Sequence, residues 1–96
     1  MKKQQAIQTL KDSKPLLSQR FGVSRLALFG SMARDSATPS SDIDVLVSFN
    51  GPATSNNYFG VQFYLEDLFG CHVDLVIEKA LRSELRPFVE SEAIDV

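Results

Sequence analysis

Leu28-Phe29-Gly30-Ser31-Met32-Ala33-Arg34 and, a few polar residues later, Ser41-Asp42-Ile43-Asp44-Val45-Leu46-Val47 decide how this chain is read. The first stretch ends an apolar run on a glycine and a hydroxyl. The second opens a run of Ile and Val with two carboxylates one residue apart. Residues 25–29 read as a short buried strand, Gly30 as the turn that leaves it, and 31–36 as a turn of helix. Residues 37–41, with Pro39 and three hydroxyl side chains, read as a loop. Residues 42–49 form the best strand, bounded by Asn50-Gly51-Pro52.

Upstream of this unit, Ile7, Leu10, Lys14, Leu17 and Phe21 recur at helical spacing, so about 3 to 21 is expected to be helical. Pro15 predicts either a kink or a second helix capped by Ser13. Gly22 is a C-terminal stop. Downstream, a polar loop through Asn57 is expected, followed by a helix whose apolar face is Val61, Tyr64, Leu65, Leu68 and Phe69, stopped by Gly70. Residues 72–77 read as another strand. The end reads as a short helix with Pro87 in its first turn and Phe88, Val89 and Ile94 as apolar contacts. Strands alternating with helices give an α/β or α+β class, a small mixed sheet flanked by helices. With 96 residues, residues 1–96 are read as one small domain.

Side chains alternate along a strand, so Asp42 and Asp44 point one way while Ile43, Val45 and Val47 enter the core. Two adjacent carboxylates repel, and a divalent cation relieves that repulsion. Mg²⁺ favours hard oxygen ligands and commonly shares them with substrate phosphates. Asp74, between Val73 and Leu75, is a third carboxylate if its strand lies beside 42–49. Three such groups can hold two metal ions that clamp the attacking and leaving oxygens of an in-line displacement. Gly30 and Ser31 suit phosphate through close backbone approach, free helix-start N–H groups and a hydroxyl donor. The stretch is neither a Walker A loop nor a dinucleotide fingerprint.

Each part has an ordinary reading on its own. A Gly-Ser pair is usually a turn, and an Asp-x-Asp at a strand start is usually a solvated cap. An Asp inside an apolar strand is rarer, because an unpaired buried carboxylate is costly. The conjunction of all three points to a phosphate-transfer site. Arg34 either contacts phosphate or braces the loop through Asp35 or Asp42, and bracing is the favoured reading. Ser41 either binds phosphate or caps the strand entry. His72 shares a face with Asp74, and a lone histidine is usually a satisfied bystander. Tyr58, Phe59, Phe63 and Tyr64 exceed one helix face, which leaves a partner surface or a base platform open.

Composition narrows the field further. The net charge is −2, with no Lys/Arg cluster to track a nucleic-acid backbone, so no direct nucleic-acid role is expected. Cys71 is the single cysteine, which excludes an internal disulfide and a multi-cysteine zinc site. No apolar signal region follows Met1-Lys2-Lys3, and no stretch approaches a membrane span. No membrane role and a cytoplasmic location are therefore expected.

Gly30-Ser31-Met32-Ala33-Arg34 through Ser41-Asp42-Ile43-Asp44-Val45 resembles the Gly-Ser…Asp-x-Asp signature of the DNA polymerase β-like nucleotidyltransferase superfamily. The short form resembles its minimal nucleotidyltransferase branch, antitoxins paired with HEPN-domain ribonuclease toxins. The resemblance implies the nucleotidyltransferase fold, Gly30, Ser31, Arg34 and Ser41 around the nucleotide, and Asp42, Asp44 and Asp74 as catalytic Mg²⁺ ligands. It implies two Mg²⁺ ions, ATP as substrate, AMP transfer to a tyrosine of a HEPN toxin, and an oligomeric complex with that partner. The residue after Arg34 is commonly glycine in this signature, and here it is Asp35. The competing expectations are a non-catalytic antitoxin that neutralises by binding, and transfer to a small molecule.

Overall fold

The computed structural model describes residues 2–38 and 42–96. In chain order the elements are α1 (Lys3–Phe21), β1 (Val23–Phe29), α2 (Gly30–Ala33), β2 (Ile43–Phe49), α3 (Ser55–Phe69), β3 (Val73–Ile77), a 3₁₀ turn (Glu78–Ala80), α4 (Arg86–Glu92) and β4 (Ile94–Asp95). The strands form one mixed sheet in the order β3-β2-β1-β4. β1 runs antiparallel to β2 and β4, and β2 runs parallel to β3. This is the expected small mixed sheet flanked by helices.

One sheet face carries the core. Leu26, Leu28, Ile43, Val45, Val47, Val73 and Leu75 are buried there, packed with Ala6, Leu10 and Leu17 of α1 and Val61, Leu65 and Phe69 of α3. Alternation sends Asp44 and Asp74 to the opposite face, beside the C-terminal segment. The helices abut closely because α3 carries Gly60 at the crossing. A Cβ on Gly60 would stand 2.8 Å from Phe21 Cζ, so the ring of Phe21 fills that space.

Several expectations on elements and contacts are corrected. α1 continues through Pro15 as one helix rather than two, and Ser13, in place of capping a second helix, donates to Leu10 O at 3.0 Å. α3 begins at Ser55, not after Asn57, because the Thr54 hydroxyl accepts from the Asn57 N–H at 3.1 Å and caps the helix. β2 and β3 start at Ile43 and Val73, which leaves Asp42 and His72 just before their strands. Phe88 is not a core contact: it is 70% exposed, while Ile94 reaches the core by pairing with Leu28 in β4.

β3 is an edge strand, and its outer side is closed by one stripe of α3. Tyr58 donates to Leu75 O, Gln62 donates to Val73 O, and Glu66 accepts from Val73 N–H. Spaced four residues apart, these side chains occupy groups that a foreign strand would otherwise use. The C-terminal segment is tied down by charge. Arg25 grips Glu90 at 2.8 and 3.0 Å and Asp95 at 2.7 Å, and Lys14 reaches Val96 O.

Asp35 adopts φ +62, the left-handed conformation that glycine takes at little cost. The usual glycine after Arg34 therefore has a backbone reason, and this chain carries strain in its place. Asp35→Gly is expected to stabilise the fold by up to about 1 kcal/mol, read as a higher urea midpoint at unchanged slope. A lower midpoint would show that the Asp35 side chain does more for the turn than its backbone costs.

Candidate active site

The site is assembled by register. Phe29 pairs with Asp44 across β1 and β2, so Gly30 lies directly beside Asp44 as the chain turns into α2. Asp44 in turn pairs with Asp74 across the parallel strands. Gly30 has φ +75, and a Cβ there would fall 2.8 Å from Asp44 Cγ and closer still to Oδ2. The carboxylate thus occupies the space that any other residue's side chain would need. Ser31, half-buried, sits in the first turn of α2.

Asp44 and Asp74 meet on the sheet face away from α1 and α3. The Asp44 carboxyl is held above the usual carboxylate range. Burial is the largest cause, followed by the charge of Asp74, a hydrogen bond shared with Asp74, and the charge of Asp42, against an opposing pull from Arg34. A proton shared between two carboxylates does in the metal-free protein what a cation does better. Tyr58 is also pushed up, by burial and then by Asp74.

Asp42, just before β2, has His72 as its neighbour. Its Oδ2 lies 3.2 Å from His72 Nδ1, and His72 Nε2 lies 3.8 Å from Glu66. Among the described residues, no three His, Cys, Asp or Glu side chains converge into a finished metal cage. The donor set nevertheless suits Mg²⁺. It offers hard carboxylate oxygens that repel one another, with Asp42 close enough for its charge to be felt at Asp44.

Arg34 braces, as expected, but through a different partner. Its Nη1 donates to Glu92 Oε1 of α4 at 2.6 Å rather than to Asp35 or Asp42. Ser41 lies outside the described residues. Sequence reading gave His72 little weight and missed Glu92 altogether. Strand alternation pointed to His72, whereas nothing local connects residues 34 and 92. Phe59 and Phe63 stack at 6.0 Å on the outer side of α3 and remain exposed, so core packing does not account for them.

A mixed sheet that brings a Gly-Ser turn against paired strand carboxylates is the architecture of a nucleotidyl-transferring enzyme. The chain belongs to the nucleotidyltransferase domain family, whose profile matches residues 10–96. It is 38% identical over 88 residues to a Methanocaldococcus jannaschii protein provisionally named a protein adenylyltransferase, covering 91% of this chain and 90% of that one. It is also 38% identical over 80 residues to the protein adenylyltransferase MntA of Thermococcus cleftensis, covering 83% and 81%. A solved structure described as a provisional minimal nucleotidyltransferase superposes with TM-score 0.86 at 34% identity, covering 100% of this chain and 97% of that one. Two more distant structures share the fold. One is a toxin-antitoxin complex with AMP-PNP, with TM-score 0.72, 20% identity and coverage of 88% and 70%. The other is a tri-AMPylated Shewanella oneidensis HEPN toxin with its MNT antitoxin, with TM-score 0.65, 19% identity and coverage of 92% and 69%. The minimal nucleotidyltransferase resemblance is borne out. Among the described residues, no helix is long and apolar enough to cross a membrane.

Proposed function

We propose that this chain is the antitoxin of a toxin-antitoxin pair and transfers AMP from ATP to a tyrosine hydroxyl of a HEPN-domain toxin. The observation that carries the reading is the in-register pair Asp44 and Asp74, with the Asp44 carboxylate lying over Gly30. Relatives named protein adenylyltransferases support the reaction class, and the AMPylated HEPN toxin in a neighbouring complex supports a toxin as the acceptor.

Asp44, Asp74 and Asp42 would hold Mg²⁺, which when bound neutralises phosphate charge and fixes the in-line geometry. Gly30 and Ser31 receive the outer phosphates, the glycine by close backbone approach and the serine by its hydroxyl. Asp74, the more exposed of the strand pair, accepts the proton of the incoming hydroxyl. The hydroxyl oxygen bonds to the α-phosphorus, the bond to the β-phosphate oxygen breaks, and pyrophosphate leaves. Much of the rate then comes from positioning and electrostatics. The exposed face and the cytoplasmic setting expected from the sequence suit a protein acceptor in a multi-chain complex.

A binding-only antitoxin is the second reading, favoured by the Asp42 carboxylate being engaged with His72. The test is transfer of α-labelled ATP with Mg²⁺ into proteins of the source cell's lysate. One labelled protein, lost with Asp44→Asn, is the expected result. A co-purifying partner that never takes label would replace the enzymatic reading with the binding one.

A further inference from the structure

We infer that Glu92, at the end of α4, is a positioning residue for the nucleotide: it holds the Arg34 guanidinium in place to meet the triphosphate. The inference rests on the nucleotide-binding reading above and assigns a role that lies outside the Gly-Ser and carboxylate motifs.

Arg34 is bound to the phosphate turn through its own backbone, since its N–H donates to Gly30 O at 3.0 Å. Its side chain leaves that turn and meets Glu92 at 2.6 Å. The guanidinium charge is also felt at Asp44, so the cation lies within electrostatic reach of the carboxylate pair. A triphosphate held between the Gly30-Ser31 turn and that carboxylate pair would bring its negative charge within reach of the same cation.

The geometry of the pair is asymmetric. The Glu92 side chain is 28% exposed and that of Arg34 is 53% exposed. The acceptor is therefore the sheltered member and the cation the reachable one. Among the described residues, Glu92 engages the fork through Nη1 alone, which leaves donors for a phosphate. Glu92 itself stands on a fixed platform. Two residues earlier, Glu90 is gripped by both terminal nitrogens of Arg25, and Asp95 beyond it is gripped by the same arginine.

An exposed ion pair of this kind adds little to stability. Its value lies in restricting a flexible side chain before the ligand arrives. A free arginine loses much rotamer freedom on binding phosphate, and one already held loses less. Glu92 thus acts through Arg34 and touches no substrate.

The test is calorimetric titration of the whole chain with ATP and MgCl₂, which needs no acceptor. Parent, Glu92→Ala, Glu92→Gln, Arg34→Ala and the double alanine variant are compared, with melting curves to confirm folding. Glu92→Ala is expected to weaken binding roughly three- to tenfold, the scale of losing one immobilised side chain's preorganisation. Glu92→Gln keeps an oxygen acceptor and is expected to fall between parent and alanine. In the Arg34→Ala background, removing Glu92 is expected to change nothing further. Equal or tighter binding by Glu92→Ala, or the same loss in both backgrounds, overturns the inference. If the alanine variant fails to fold, the glutamine variant in both backgrounds decides the matter by the same criterion. A parent that binds no Mg·ATP overturns the nucleotide-binding reading, and this inference with it. A parent that binds normally and is indifferent to Glu92 overturns this inference alone.

Discussion

Asp44→Asn is expected to stop AMP transfer while making the metal-free protein harder to melt. The two effects share one cause. Asp44 is half-buried, faces Asp74 in register, and feels Asp42 as well, so its carboxyl is held above the usual range. With a raised folded-state pKa, the folded chain holds a proton that the unfolded chain releases above its ordinary value of 3.8. Stability therefore falls as pH rises from that value through the folded pKa, and the full cost is present above it. Asparagine carries no charge and its amide can donate to Asp74, so the cost disappears. In chelator at neutral pH the variant is expected to melt above the parent, and the gain is expected to vanish below about pH 3.8, where Asp44 is protonated in both states. The same substitution removes an oxygen ligand for Mg²⁺ and is expected to lower transfer by at least about a hundredfold, the scale of losing one preorganised electrostatic contact. A variant that melts lower in chelator would mean Asp44 and Asp74 do not repel. One that transfers at the parent's rate would remove Asp44 from the site.

What could be read from sequence followed from two periodicities. The Ile-Val run after Asp42 fixed β2 and the inward set Ile43, Val45 and Val47, all of which are buried. Helical spacing placed α1 and most of α3, and Gly22 and Gly70 ended them as left-handed caps. The same alternation anticipated that Asp44 and Asp74 share a sheet face. Asp42 lies one residue before the strand begins, with its carboxylate 3.2 Å from His72 Nδ1. A one-residue uncertainty in a strand end matters little for a fold and much for a ligand set. The C-terminal segment was legible as a helix but not as a tether. Arg25 with Glu90 and Asp95, and Arg34 with Glu92, join residues more than fifty positions apart, and no local pattern announces such pairs. Pro15 left open a second helix, which does not form. α1 absorbs the proline because packing on the sheet and α3 outweighs one lost backbone hydrogen bond.

Gly30→Ala is expected to damage both fold and site, more than the size of one methyl group suggests. The residue has φ +75, so alanine would carry backbone strain even in open space. The space is not open: the new Cβ would stand 2.8 Å from Asp44 Cγ and nearer to Oδ2, and Asp44 would have to swing away. Left-handed strain and overpacking together suggest a loss of about 2–4 kcal/mol. For a domain of this size that is a fall of about 10–20 °C in melting temperature. Transfer is expected to fall with it, because the displaced carboxylate is the one held against Asp74. The two causes separate in a double variant. Asp44→Ala removes Cγ and both oxygens, leaving the Asp44 Cβ at 3.0 Å from the new methyl, so most of the steric part is relieved while the backbone strain stays. Gly30→Ala is therefore expected to cost distinctly less stability in an Asp44→Ala background than alone, a non-additive pair. Equal costs in both backgrounds would show that the glycine is required by its backbone alone and that the carboxylate does not lie over it. Unequal costs would tie the Gly-Ser turn and the Asp-x-Asp strand into one physical unit, in which the glycine exists to make room for the acid.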